Sequence, residues 1–104
     1  MTKILIGNSL VIKISGEMDH SNSNSYRHEI DSEIRNRPVK NLIFDFKDLD
    51  FMDSSGLGLI LGRYRITREL GIVFKIVSPN DSVMKIIRLS GCEKYIEIIR
   101  KKDA

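Results

Sequence analysis

Apolar positions recur along this chain at two spacings, and each spacing predicts a different element. Residues 3–7 and 10–15 are short β-prone runs on either side of Asn8-Ser9, a hairpin signal. In the second run Leu10, Ile12 and Ile14 alternate with Val11, Lys13 and Ser15, one apolar face against a mixed one. Gly16 is expected to break that strand. Asp19 or Ser21 then caps a predicted helix running to about Asn36, with Tyr26, Ile30 and Ile34 as a narrow stripe. Its first turns are rich in Ser and Asn, so packing rather than propensity must hold it, and Pro38 ends it.

Residues 41–46 are the most strand-like segment, with Leu42, Phe44 and Phe46 set against Ile43 and Asp45. Residues 47–53 read as a loop leading into a second helix, which starts near Ser54 and ends before Gly71. Residues 72–77 read as another strand. Ser78-Pro79-Asn80-Asp81 opens a third helix whose Val83, Ile86, Ile87 and Ser90 share a face, and Gly91 stops it. Residues 95–99 form a last strand or short helix. A hairpin followed by strands that alternate with helices predicts an α/β fold, a mixed sheet of four to five strands with three helices packed on it. The second helix then begins at the carboxyl edge of the strands, where open sheets place their sites.

Composition narrows the class. At 104 residues the chain is read as one domain, and 41% hydrophobic residues suit an ordered globule. The net charge of +3 is mild, and the one basic run, Arg100-Lys101-Lys102, reads as a solvated terminus rather than a nucleic-acid arm. Cys92 stands alone, so no internal disulfide or cysteine-based zinc cluster is available, which fits a reducing cytosol. The first residues do not form a signal peptide, and no apolar run approaches membrane-spanning length. The expectation is a cytoplasmic protein with neither nucleic acid nor membrane as a direct partner.

Chemistry concentrates in Phe51-Met52-Asp53-Ser54-Ser55-Gly56-Leu57-Gly58-Leu59-Ile60-Leu61-Gly62-Arg63-Tyr64. Two hydroxyls sit at a helix start, after an acid and before three closely spaced glycines. Asp53 or Ser54 can serve as an N-cap for orphan backbone N–H groups. Gly58 and Gly62 are expected to let the helix lie close to the sheet, since each glycine costs a helix interior roughly 1 kcal/mol relative to alanine. A serine in this position is also a good carrier of phosphate. The helix dipole and free N–H groups stabilise the added charge of about −1.5 to −2, so modification need not unfold the domain and acts outward on a partner.

Enzyme readings of the same stretch fail. A nucleophile elbow needs glycine where Met52 stands, and His20 and His28 precede the serine, against the hydrolase order. Leu61 occupies the third glycine position of a dinucleotide fingerprint, and no phosphate-binding loop of the G-x-x-x-x-G-K-[ST] type exists. Asp45, Asp48, Asp50 and Asp53 lack the glycine and closing glutamate of a calcium loop and read as solvated loop carboxylates. Neither catalytic residues, nor a metal site, nor a cofactor is expected.

Gly16-Glu17-Met18-Asp19-His20, the 51–64 stretch, Ser78-Pro79 and Leu89-Ser90-Gly91 together resemble the STAS-domain anti-sigma factor antagonists, in order and spacing over nearly the whole chain. The Asp53-Ser54-Ser55-Gly56-Leu57-Gly58 core resembles the family generally, and Ile60-Leu61-Gly62-Arg63-Tyr64 is similar to its sporulation branch. The resemblance implies a single STAS domain over residues 1–104 and a partner-switching cycle without enzymatic activity of its own. In that cycle the unphosphorylated antagonist binds a dimeric anti-sigma factor that is also a serine kinase, freeing the sporulation sigma factor. The kinase uses ATP to phosphorylate the first serine after the aspartate, here Ser54; the phosphorylated protein lets go, and a metal-dependent serine phosphatase restores it. The resemblance also implies that Asp19 lies beside Ser54 on the partner surface, with Ser55 as cap or neighbour. The same fold serves stress-response and signalling-scaffold STAS proteins, the alternative reading. Family members continue into a final helix after the segment matching 95–99, whereas this chain ends soon after it at Ala104.

A helical wheel adds one expectation. Leu57, Ile60, Leu61 and Tyr64 group together, and Leu59, Ile66 and Leu70 fall opposite. One group is expected to face the sheet and the other, next to Ser54, a partner. Asp19, Ser54, Ser55, Leu57 and Leu61 are the candidate partner-binding residues.

Overall fold

Strands β1 (Thr2–Ile6) and β2 (Ser9–Lys13) open the computed structural model, which describes residues 1–100. They pair antiparallel around a two-residue turn at Gly7-Asn8, one residue earlier than the Asn8-Ser9 signal suggests. Gly7 supplies the positive φ (+59°) needed at the first turn position, and that requirement decides the register. β3 (Gly16–Met18) and helix α1 (Ser23–Asn36) follow, then β4 (Asn41–Asp45), β5 (Leu49–Met52) and helix α2 (Ser54–Leu70). β6 (Val73–Val77), helix α3 (Asp81–Ser90), a 3-10 turn at Cys92–Lys94 and β7 (Glu97–Ile99) complete the described chain.

The main sheet is mixed and five-stranded, in the order β1-β2-β4-β6-β7, with every pairing after β1-β2 parallel. Leu10, Ile12, Leu42, Phe44 and Ile76 point to one face and are fully buried beneath the helices. Phe44 meets Phe74 edge-on, with ring centres 4.9 Å apart. Val11, Lys13, Ile43 and Lys75 alternate onto the other face and remain partly or fully exposed. Ile30 and Ile34 of α1, Ile60 of α2, and Val83 and Ile87 of α3 close the core from above. The α/β architecture and its three helices follow the expectation from periodicity.

Three local expectations are corrected. Gly16 does not end a strand; at φ +74° it re-aims the chain into β3. The segment 47–53, read as a loop, contains β5, which pairs parallel with β3 as a separate two-stranded sheet. Such short strands carry no alternating signal, since Leu49 and Met52 are buried while Asp50 and the half-exposed Phe51 between them both face outward. α1 starts at Ser23 with Asn22 as its cap residue, not Asp19 or Ser21. The Asp19 carboxylate is consumed one turn earlier, accepting from the Ser21 N–H at 2.9 Å and the Ser21 hydroxyl at 2.6 Å. The segment 95–99 resolves into the 3-10 turn's end and β7. A final helix of the family pattern falls outside the described residues.

Candidate functional site

The small β3-β5 sheet builds the site. It extends past the carboxyl ends of β2 and β4 and sets Met18 opposite Met52, so the residues leaving both strands emerge side by side. The Asp53 N–H donates to the Met18 carbonyl at 3.3 Å, and the His20 N–H donates to Asp53 Oδ2 at 3.2 Å. The other carboxylate oxygen of Asp53 accepts from the N–H groups of Ser55 (2.8 Å) and Gly56 (3.1 Å), the geometry of an N-cap. Asp53 therefore caps α2 and clamps it to the segment after β3. Of the two capping candidates, Asp53 takes the role and Ser54 does not.

Close approach of helix and sheet rests on Gly56. A Cβ there would sit 2.4 Å from the Met18 carbonyl oxygen and 2.5 Å from Met52 Cγ. Gly58 and Gly62, expected to make that approach, have open space where a side chain would be. They form instead the floor of a groove between α1 and α2.

Ser54 occupies the first turn of α2 and is exposed, its hydroxyl left free of the capping duty that Asp53 performs. Leu57, half-buried, and Leu61, 42% exposed, follow it on the same side of the helix at helical spacing. Tyr64 continues that strip and stacks on the exposed Tyr95 at 6.0 Å, a contribution from the segment before β7 that sequence spacing did not suggest. Asp19 lies at the end of β3 next to the Asp53 clamp. Its carboxylate is turned to Ser21, which holds its pKa below the usual aspartate range against the opposing effect of burial. Ser55 is half-buried and turns away from the strip, into the α1/α2 groove with His20, Ser23 and Arg27. The structure thus gathers Ser54, Leu57 and Leu61 on one side of α2, leaves Asp19 in the segment that Asp53 clamps, and places Ser55 on the groove side.

The two-sided wheel is also corrected. The buried face of α2 is Gly56, Leu59, Ile60, Arg63 and Thr67, which takes Ile60 from one apolar group and Leu59 from the other. Gly56 sets the contact line, so the helix meets the core along an arc between the two groups. Arg63, 4% exposed, is the residue that apolar periodicity misses. Its one sequence signal is position, a cation in the row Gly56-Leu59-Ile60-Arg63-Thr67 at helical spacing. Among the described residues no group of His, Cys, Asp or Glu is placed to hold a metal ion, and no helix is long and apolar enough to cross a membrane.

Comparison with known proteins identifies the family and matches the fold. The sequence profile of the STAS domain matches residues 2–104. The anti-sigma F factor antagonist of Paenibacillus polymyxa is 37% identical over 89 residues, covering 86% of this chain and 76% of that protein. The anti-sigma factor antagonist SpoIIAA in its unphosphorylated form superposes with a TM-score of 0.79 at 26% identity, covering 97% of this chain and 88% of the other. The Bacillus cell fate determinant SpoIIAA in the phosphorylated form gives 0.77 at 29% identity, with 96% and 91% covered. The chain belongs to the STAS-domain family. Within that family its relatives include proteins named anti-sigma F factor antagonists.

Proposed function

We propose that this protein is an anti-sigma factor antagonist switched by phosphorylation of Ser54. Its unphosphorylated form binds an anti-sigma factor serine kinase and releases the sporulation sigma factor; a serine phosphatase reverses the modification. The protein acts as a binding module and kinase substrate, without catalysis of its own. One observation carries the reading: Ser54 is exposed on the first turn of α2 while Asp53 alone makes the capping bonds. A phosphate can therefore be added and removed without dismantling the helix start, and the N-terminal dipole tolerates it. The new charge stands beside the Leu57–Leu61 strip. An apolar partner surface docked there would have to desolvate about −1.5 to −2 charges, which releases it. Relatives described in both phosphorylated and unphosphorylated forms support the same cycle.

The test is site-mapped mass spectrometry after incubation with ATP and an anti-sigma F-type kinase. One phosphate on Ser54, absent in Ser54→Ala, is expected. Phosphate on Ser55 would move the site by one residue, and no incorporation overturns the assignment. In parallel, Ser54→Ala retains kinase binding while Ser54→Asp loses about tenfold or more in affinity. Undiminished binding by the charged variant contradicts the mechanism.

A further inference from the structure

α1 and α2 lie side by side and leave a groove between them with two lobes. The lobe nearer the start of α2, about 330 Å³, has Gly58 and Gly62 as its floor and Ser55 at its edge. The other, about 640 Å³, runs along α1 past Asp31 and Arg35. Arg27 and Arg63 line both lobes and mark where they meet. The groove is open because glycine supplies no side chain at two successive turns of α2, where alanine would favour the helix.

Charge at the junction is unbalanced. Arg63 is buried, with a side chain only 5% exposed, and its Nε lies 2.9 Å from Asp31 Oδ1. That contact has ion-pair distance but not hydrogen-bond alignment, so Arg63 Nε and Asp31 Oδ1 both lack an aligned partner, and Nη1 of the same guanidinium, also buried, has no partner among the described residues. Buried donors are rarely left in that state. Arg27 and Arg35 add two further cations around the same space against the single carboxylate of Asp31. Desolvation, and after the opposing pull of Asp31 the repulsion from Arg27 and Arg35, holds the Arg63 pKa below its usual range. An anion between Arg63 and Arg27 would offset the excess of cations and give Nη1 an acceptor.

We propose that the α1/α2 groove is a binding site for a phosphate-type tetrahedral oxyanion, held by Arg63 and Arg27 where the two lobes meet. The guanidinium fork of Arg63 matches two oxygens of such a group, and the exposed Arg27 closes over it from α1. Asp31, which itself lines the larger lobe, lies 2.9 Å from Nε and fixes that side of the Arg63 guanidinium. The larger lobe leaves room for the alcohol part of a monoester, so free phosphate and a small phosphate ester are the two sources that share this chemistry. The inference rests on the groove alone and is independent of the switch at Ser54.

The experiment is a titration of the full-length unphosphorylated chain, at constant ionic strength against chloride, followed by the arginine Nε–H resonances. Inorganic phosphate is the probe in one arm and glycerol 3-phosphate in the other. Saturable shifts of the Arg63 and Arg27 signals are expected, with a dissociation constant of about 1 mM or tighter in at least one arm. Tighter binding of the ester assigns the ligand as a monoester seated in the larger lobe; equal binding assigns free phosphate. Arg27→Gln, at an exposed position that leaves the core intact, weakens binding by about tenfold or more. Arg63→Lys, with folding checked by circular dichroism, keeps the charge, loses the fork and weakens binding as well. Absence of saturation in both arms, or an unchanged response in Arg27→Gln, overturns the proposal.

Discussion

The two long helices begin next to each other and are held in opposite ways. α2 starts from a cap of two backbone N–H bonds to Asp53, with Gly56 pressed onto the Met18 carbonyl. α1 starts at Ser23, and its cap residue Asn22 makes no side-chain cap bond. Its entry is held from outside the helix: the Asn22 side chain accepts from the Asp19 N–H at 3.0 Å and donates to the Glu17 carbonyl at 2.8 Å. The first start is specified by backbone packing that tolerates no added atom. The second depends on partly exposed polar side chains, whose bonds water can replace at modest net cost. Ser54 thus stands on a tightly packed helix start while the Asp19–Asn22 turn is held by side-chain bonds, a pairing that suits the proposed docking and release.

Breaking the rigid side should have the largest effect. Gly56→Ala would drive a methyl group into the Met18 carbonyl and Met52, and such overpacking costs about 1–3 kcal/mol, only partly offset by the gain in helix propensity. Gly58→Ala, with open space around its Cβ, should instead stabilise by up to about 1 kcal/mol. Urea denaturation of the two variants decides it, and equal midpoints would remove the special place given to Gly56.

Asp53→Ala comes next. It removes the cap and the link to the His20 N–H, with an expected loss of about 1–2 kcal/mol. Asn22→Ala, tested in the same way, should lose about 1 kcal/mol or less. The contrast between the two starts fails if the order is reversed.

The smallest effect belongs to Asp19. Its carboxyl pKa is depressed in the folded protein, chiefly by the Ser21 hydroxyl. The charged form therefore adds stability that is present above the unfolded-state pKa and is lost as pH falls through the lower, folded value. The carboxyl carbon of Asp19, followed by NMR, should titrate below an unstructured aspartate and move back toward it in Ser21→Ala. An unmoved midpoint would show that the turn does not hold the carboxylate.

Much of this was legible before the fold. The alternation of Leu42, Phe44 and Phe46 placed β4 in the core, and the stripe Ile30–Ile34 oriented α1, because burial repeats with the period of each element. The acid-serine-serine-glycine run marked the start of α2, because an N-cap is a local bond between near neighbours in sequence. Those features need no knowledge of what lies across the molecule.

Other features are set by contacts distant in sequence. β3 and β5 exist because two short segments 33 residues apart, from Gly16↔Leu49 at their start, find each other's backbone. Neither has a side-chain pattern of its own. The line along which α2 meets the core follows from which glycine touches Met18, a choice among Gly56, Gly58 and Gly62 that spacing alone leaves open. Arg63 lies on a helix face that becomes buried only when α1 brings Asp31 against it. Local chemistry in the sequence determined which residues can cap a helix or turn the chain. Tertiary structure decided which of them share a surface, because that depends on close approach between elements and not on the period within any one of them.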